Sequence, residues 1–456
     1  MGASVEIPVW LLIVVAVLAA VAALDRVIGP GIRWVLRRQM ERAVGRLNSR
    51  LQRKIEPFKL ARRKDMIVRL AYDARVMEAV ADHAAETGVP GSVAFAEADS
   101  YAREIVPGFS ASLYFGFAVR VTRAISRIFF RVRVGRVDKE LAAIDPKATV
   151  IFVINHRSNM DYVLITWLVA GRTSLSYAVG EWARVWPLAP LLRAMGAFFI
   201  RRGSRNPLYR RVLARYMQIA TEQGTTQAMF PEGGLSLNGR VGVAKMGLLS
   251  YVIAGFRPDG RDVVFVPVGL GYDRVLEDGL LINAGQTGER RFRPRVLRLC
   301  WDAMRLAWAR GRGRKHIYGT AAAGFGAPLS LRSHLAEGGN VESLGVRLMA
   351  AIAHVVPVLP VPLVAAVLAG GDVSRADIEA KVEALVARLT AAGAMVKLPP
   401  QGIPMTVSEG LAPLLARGII GEDLRPMPGK AAFLDFYAAP VLQALERADL
   451  SATQQT

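Results

Sequence analysis

The longest apolar run lies near the start of the chain. Ile7 to Leu24 is eighteen residues without a charge, interrupted only by Pro8. That length reaches the short end of what spans a bilayer as a helix, and it predicts a transmembrane anchor over residues 1–25. Arg26, Arg33, Arg37, Arg38, Arg42 and Arg46 follow it, whereas Glu6 is the only charged side chain before it. The positive-inside rule then places the rest of the chain on the cytoplasmic side of an inner membrane, behind a single-pass anchor. A cleaved signal peptide carries its Lys and Arg ahead of the apolar run, not behind it. Helical periodicity continues to about Glu86, where Gly88-Val89-Pro90-Gly91 breaks it. Residues 26–140 read as a basic, helical, membrane-proximal region, its arginines suited to anionic lipid.

From about Ala148 the period changes, and short β-rich runs alternate with helical stretches. Strands are predicted at Thr149–Ile154, Ser176–Val179, Ala197–Ile200, Gln227–Phe230 and Val263–Val268, with one more inside Gly324–Leu331. Helices are predicted at Met160–Ala170, Trp182–Ala194, Asn206–Glu222 and Val243–Ala254. This alternation predicts an α/β layered domain with a mostly parallel sheet over residues 141–370. Val355–Leu368 is apolar but carries Pro357, Pro360 and Pro362, and reads as a buried or membrane-dipping helix. Ser374-x-x-Asp377 is a capping pattern that opens a helix to Ala392. It begins a small helical C-terminal module, 371–456.

Charge sharpens this picture. The chain carries 59 Lys and Arg against 38 Asp and Glu, a net charge of +21, which calls for an anionic partner. Three stretches hold it: Arg26–Arg75 at net +11, Arg184–Arg215 at +8 and Glu289–Lys315 at +8. The remainder is net −6, so the basic charge is local. The first stretch follows the anchor. The third carries Trp301 and Trp308 among its arginines and suits lipid headgroups, an acidic carrier protein or simple packing on the core. Cys300 is the only cysteine, which excludes an internal disulfide framework and a multi-cysteine zinc module.

In parallel α/β sheets the chemistry gathers at the carboxyl ends of the strands. Four strand ends carry it here. After the first strand comes Asn155-His156-Arg157-Ser158-Asn159-Met160-Asp161, where a turn into a helix brings Asp161 back to His156. The carboxylate then accepts from Nδ1–H, fixes the tautomer and leaves Nε2 as a base. The other reading of the same residues is a helix-capping Asp and a structural His. After the third strand, Arg201 and Arg202 lie in the Arg184–Arg215 stretch of eight basic and no acidic residues, and guanidinium is a preferred partner of phosphate. After the fourth, Glu232-Gly233-Gly234 offers a carboxylate beside close-approaching backbone. After the fifth, Pro267 and Gly269 fit a groove wall, or a bend at a strand end.

Taken together and in order, NHRSNMDYVL, GAFFIRR, FPEGG and VPVGLGYDRV resemble the blocks of bacterial membrane-bound glycerol-3-phosphate 1-O-acyltransferases. These belong to the glycerophospholipid acyltransferase superfamily. The resemblance covers roughly Thr149 to Gly370. It implies acyl transfer from acyl-CoA or acyl-carrier protein, as co-substrate, to the sn-1 hydroxyl of glycerol 3-phosphate, with no cofactor, no metal and no acyl-enzyme. His156 would be the general base and Asp161 its orienting partner, with backbone donors near the His block stabilising the oxyanion. Arg201 and Arg202 would hold the acceptor phosphate. Arg157, Ser158, Glu232, Gly233 and Gly234 would shape the acceptor pocket. The family usually has an arginine soon after the third block's glycines; Leu235 stands there instead, and Arg240 or Lys245 would take its place. That departure keeps other acceptors open: 1-acylglycerol 3-phosphate, dihydroxyacetone phosphate or a different lipid. A non-catalytic lipid-binding protein of the same fold is a further alternative. The implied partners are the phosphorylated acceptor, the acyl donor and anionic membrane lipid, and not nucleic acid.

Overall fold

The computed structural model describes residues 44–134, 141–180, 188–201, 203–288, 318–371 and 376–453, together with Val9, Arg38, Arg42, Arg184, Val373 and Ser374. The chain divides into two compact units, Met1–Lys54 and Ile55–Thr456. The expected anchor, apart from Val9, and the Arg/Trp-rich stretch from Glu289 to Lys315 lie outside the described residues, as does Arg202. Among the described residues, no helix is long and apolar enough to cross a membrane.

The second unit is built on one sheet. Its strands are β1 (Arg131–Val134), β2 (Thr149–Ile154), β3 (Ser176–Gly180), β4 (Ala197–Ile200), β5 (Gln227–Met229), β6 (Val263–Tyr272), β7 (Thr320–Phe325) and β8 (Leu329–Ser330). The order across the sheet is β1-β7-β6-β2-β5-β3-β4, with β8 beside β6. All neighbours run parallel except β6 with β7 and with β8. The unbroken apolar run TVIFVI follows from this position. All six residues of β2 are buried. Val150, Phe152 and Ile154 enter one core, while Ile151 and Val153 enter the other. Helices cover both faces, so the strand has no polar side to alternate with.

The helices on one face are α1 (Arg63–Ala71), α2 (Ala74–Thr87) and α3 (Gly91–Ile105), which share a core with residues of two later helices, Pro207–Glu222 and Val341–His354. The other face takes α4 (Val119–Phe129) and α5 (Met160–Val169). It also takes the helices of the last eighty residues, so Val382, Leu389, Val407, Leu414 and Tyr437 pack in one core with Phe152 and Val266. The short helix α6 (Leu188–Ala194) leads into β4.

β2 and β4 have the predicted bounds, and β3 and β5 differ by one residue. Two expectations are corrected. The region 26–140 is not purely helical, because Arg131–Val134 adds an edge strand parallel to β7. The strand expected within Gly324–Leu331 is two pieces, β7 beginning at Thr320 and β8. The Pro-containing apolar stretch forms a helix at Pro360–Ala369 packed in the protein core, the buried one of its two readings. Just before that helix the chain lies flush on the sheet. A Cβ on Gly269 would come within 2.4 Å of the Val355 carbonyl, one on Gly324 within 2.1 Å, and one on Gly271 within 2.6 Å of the Pro357 carbonyl. Gly269 therefore seats backbone and does not line an open groove.

Candidate active site

The turn after β2 brings His156 and Asp161 together. Asp161 is the second residue of α5, where the unpaired N–H groups of a helix start favour a carboxylate. Its Oδ2 accepts from His156 Nδ1 at 2.9 Å, from the Arg157 backbone N–H at 2.7 Å and from that of Ser158 at 3.0 Å. Its Oδ1 accepts from the Tyr272 hydroxyl at 2.7 Å. Four donors on one fully buried carboxylate fix its position. The imidazole stacks on Phe230, centroids 4.2 Å apart, with Tyr162 edge-on at 5.6 Å. Nε2 has no hydrogen-bond partner among the described residues, so the base position is open. The ring is 2% exposed, which keeps it out of bulk water.

Glu232 ties this turn to the third block. Its Oε1 accepts from the His156 backbone N–H at 2.9 Å and its Oε2 from that of Gly242 at 3.2 Å. Burial pushes the Glu232 carboxyl above its ordinary value, an effect opposed by those two N–H groups. The Ser236 N–H donates to the His156 carbonyl at 2.8 Å and the Lys245 N–H to that of Pro231 at 2.8 Å, completing a cage of main chain around the histidine. Gly233 has φ +66°, and a Cβ there would meet the Lys245 stem at 2.7 Å. Gly234 continues that half-buried turn.

Other expected site residues turn inward or pair elsewhere. Arg157 is buried; its guanidinium donates to the Gly239 carbonyl and lies 4.9 Å over the Phe436 ring. Ser158 is buried too, and its hydroxyl donates to Glu277 Oε2 at 2.7 Å. Both hold the turn and neither is open to an acceptor. Arg240 pairs with Glu446. Arg201 is chelated by Glu104, Nη2 to Oε2 at 2.6 Å and Nε to Oε1 at 3.0 Å. Lys245 is exposed beside Gly233 and has no ion pair among the described residues. The backbone N–H groups of the His block are all committed: His156 to Glu232, Arg157 and Ser158 to Asp161, Asn159 to Glu277 and Met160 to Ser158. They are not available as oxyanion donors.

Glu277 is a further carboxylate of this turn that the strand-end motifs missed. Beyond Ser158, it accepts from Asn159 through the backbone at 3.2 Å and through the side-chain amide at 3.0 Å. Burial raises its carboxyl above the ordinary value. An acid two residues past the block ending at Val275 was the available signal. Next to it, Asp278 accepts from Tyr437 and Arg417, tying the last helices to the turn. Tyr437 in turn donates to nothing further along the turn; its oxygen accepts from the Val275 N–H at 3.2 Å. Behind the turn, a cavity of about 10 Å³ lies among Asn155, Arg157, Gly239, Val356 and Gln443, enough for about one water.

Residues 136–271 match the family described as Acyltransferase. The chain is 30% identical over 282 residues to a glycerol-3-phosphate acyltransferase of Pseudomonas entomophila, covering 61% of this chain and 33% of that protein. It is 32% identical over 272 residues to one from Xanthomonas campestris, covering 59% and 30%. The match thus spans about a third of the length of these relatives. Among solved structures, a 1-acyl-sn-glycerophosphate acyltransferase from Thermotoga maritima aligns over 52% of this chain and 80% of that one, at 20% identity. Its TM-score is 0.31, an overlap too low to carry an argument. The His–Asp turn lies inside the matched segment, residues 136–271.

Proposed function

We propose that the protein moves a fatty acyl group from acyl-CoA or acyl-carrier protein to the sn-1 hydroxyl of glycerol 3-phosphate. The observation that carries this is the Nδ1–Asp161 hydrogen bond of 2.9 Å with Nε2 left open. Nε2 takes the hydroxyl proton as the oxygen attacks the thioester carbonyl. The tetrahedral intermediate then collapses, and the departing thiolate receives that proton from Nε2–H. Asp161 stays ionised throughout and stabilises the transient imidazolium. No protein nucleophile is required. Lys245, exposed beside the third block's glycines, supplies a cation for the acceptor phosphate. Ile7–Leu24 anchors the chain in an inner membrane with the catalytic unit on the cytoplasmic side, and the basic segment after it rests on anionic lipid.

The test is transfer from labelled acyl-CoA and acyl-carrier protein to a panel of acceptors by the full chain in detergent. Transfer to glycerol 3-phosphate that disappears in a folded His156→Ala variant supports the reading; undiminished transfer in that variant ends it. A second reading, another phosphorylated or lipid acceptor, is favoured by Leu235, which packs against the core where the resembled family places an arginine. Transfer to 1-acylglycerol 3-phosphate or dihydroxyacetone phosphate alone would select it. No transfer from either donor would favour a lipid-binding role.

A further inference from the structure

The hydrogen bonds on Asp161 are divided unevenly between its two oxygens. His156 Nδ1, the Arg157 N–H and the Ser158 N–H all reach Oδ2, and all three belong to the turn that this carboxylate closes. Bonds gathered on one oxygen fix a point and not a plane, because the last torsion of an aspartate side chain has only broad preferences. Oδ1 decides the plane. Among the described residues its donor is the Tyr272 hydroxyl, at 2.7 Å, and that donor comes from outside the turn.

Tyr272 is mounted on the sheet. It ends β6, opposite Ala321 of β7. The residue after it is pinned through three bonds: the Asp273 N–H donates to the Thr320 carbonyl at 2.9 Å, and the Asp273 carboxylate accepts from the Thr320 and Val361 N–H groups. The residue before it, Gly271, lies flush against the Pro357 backbone. The Tyr272 ring is buried, its centroid 5.4 Å from that of Phe130. The phenol oxygen is thus placed by β6 and β7, whatever the His156 turn does. Burial, and then the neighbouring Asp161 carboxylate, hold the Tyr272 hydroxyl well above its ordinary pKa, so it keeps its proton and stays a donor. Its hydrogen bond goes to Asp161 and not to His156, so its effect on the base passes through the carboxylate.

Resting on the acyl-transfer reading, we propose that Tyr272 is a positioning residue for the reaction: its hydroxyl sets the plane of the Asp161 carboxylate and, through the Nδ1 hydrogen bond, the aim of His156 Nε2. The chain Tyr272–Asp161–His156 carries the fixed geometry of the sheet into a turn that otherwise holds only itself. In such a chain the outer bond has value only while the middle member is present, which separates a positioning role from packing.

Tyr272→Phe removes one oxygen and keeps the ring. In the full chain in detergent it should lower kcat about tenfold, the size expected for one lost hydrogen bond to a carboxylate, with KM for acyl-CoA and glycerol 3-phosphate within about twofold of wild type. The deciding measurement is the cycle with Asp161→Asn. In that background the tyrosine has no carboxylate to orient, and Tyr272→Phe should cost less than about twofold. An equal loss of about tenfold in both backgrounds would make Tyr272 a packing residue and overturn the proposal, as would a KM rise with kcat unchanged. A second readout needs no substrate: the proton resonance of His156 Nδ1–H in full chain carrying nitrogen-labelled histidine, assigned by its absence from His156→Ala. With Oδ1 stripped of its donor, Oδ2 accepts more strongly, and the resonance should move downfield in Tyr272→Phe. If that variant does not fold, a ring-fluorinated tyrosine in place of Tyr272, which is a stronger donor, should move it upfield. A resonance unmoved in the folded variant overturns the proposal. Absence of acyl transfer by the wild type would overturn the catalytic reading, and the resonance would still report whether Tyr272 acts on the His156–Asp161 pair.

Discussion

Two ends of one row of the sheet treat charge in opposite ways. After β2, one carboxylate, Asp161, receives four donors. After β4, one carboxylate, Glu104, is shared by the guanidiniums of Arg184 and Arg201, and nearby Arg193 has a buried Nε without a hydrogen-bond partner. The first end is electrostatically closed and the second is left open. The proposed general base works only if its tautomer and aim are fixed before substrate arrives, and Nδ1 of His156 is committed to Asp161 while Nε2 is open. At the β4 end the unpartnered Arg193 Nε leaves the polar groups only partly satisfied.

The contrast breaks most sharply at the closed end. His156→Ala should cost about 10³-fold in the acyl-transfer rate with the thermal transition retained. Asp161→Asn should cost about 10²-fold or more by releasing the tautomer, and a rate within twofold of wild type would refute the role given to the pair. Gly239→Ala acts on the frame instead. Gly239 has φ +83°, and its added Cβ would sit 2.1 Å from the Phe436 carbonyl. A loss of about 2–4 kcal/mol in denaturant unfolding is expected, and an unchanged midpoint would show that the last helix does not press on this loop.

Asp273 tests how a closed site responds to pH. It accepts from the Thr320 and Val361 N–H groups at 2.7 and 3.0 Å, and burial pushes its carboxyl up to about 6. The unfolded chain has about 3.9. A raised carboxyl pKa means the folded state binds the proton more tightly. The stability this adds is fully present below about pH 4 and is lost as pH rises through 6, about 3 kcal/mol in all. Asp273→Asn should flatten that slope between pH 4 and 6 in urea melts; a slope equal to wild type would place its origin elsewhere. The smallest effect is expected at the rim. Arg240→Ala removes the half-exposed pair with Glu446 and should change unfolding free energy by less than about 1 kcal/mol.

Legibility followed sequence distance. β2 and β4 were readable because unbroken apolar runs signal strands covered on both faces. The His156–Asp161 contact was readable because five residues of turn close it. β1 was not, since RVRV at an exposed edge reads as part of a basic surface. The start of β7 was missed as well, because Ala321–Ala323 have little strand propensity, and it is the backbone of Val355 pressing on the sheet that favours small residues there. Glu104 and Glu277 were invisible for a related reason. Each is an ordinary acid locally, and becomes part of a site only through partners about a hundred residues away.

The grip of the last helix on the third block also sets a timetable. Phe436, Gln443 and Glu446 meet Arg157, Gly239, Arg240 and Val241, so the catalytic turn is latched by residues about 280 positions downstream of it. At ribosomal rates of about 5–20 residues per second, those residues emerge roughly 15–55 seconds after the histidine. During translation the nascent chain carries its base and orienting acid long before the loop beside them is fastened. The frame of the turn is finished last, and a chain released before Ala431 would leave the ribosome with His156 and Asp161 present and that frame undone.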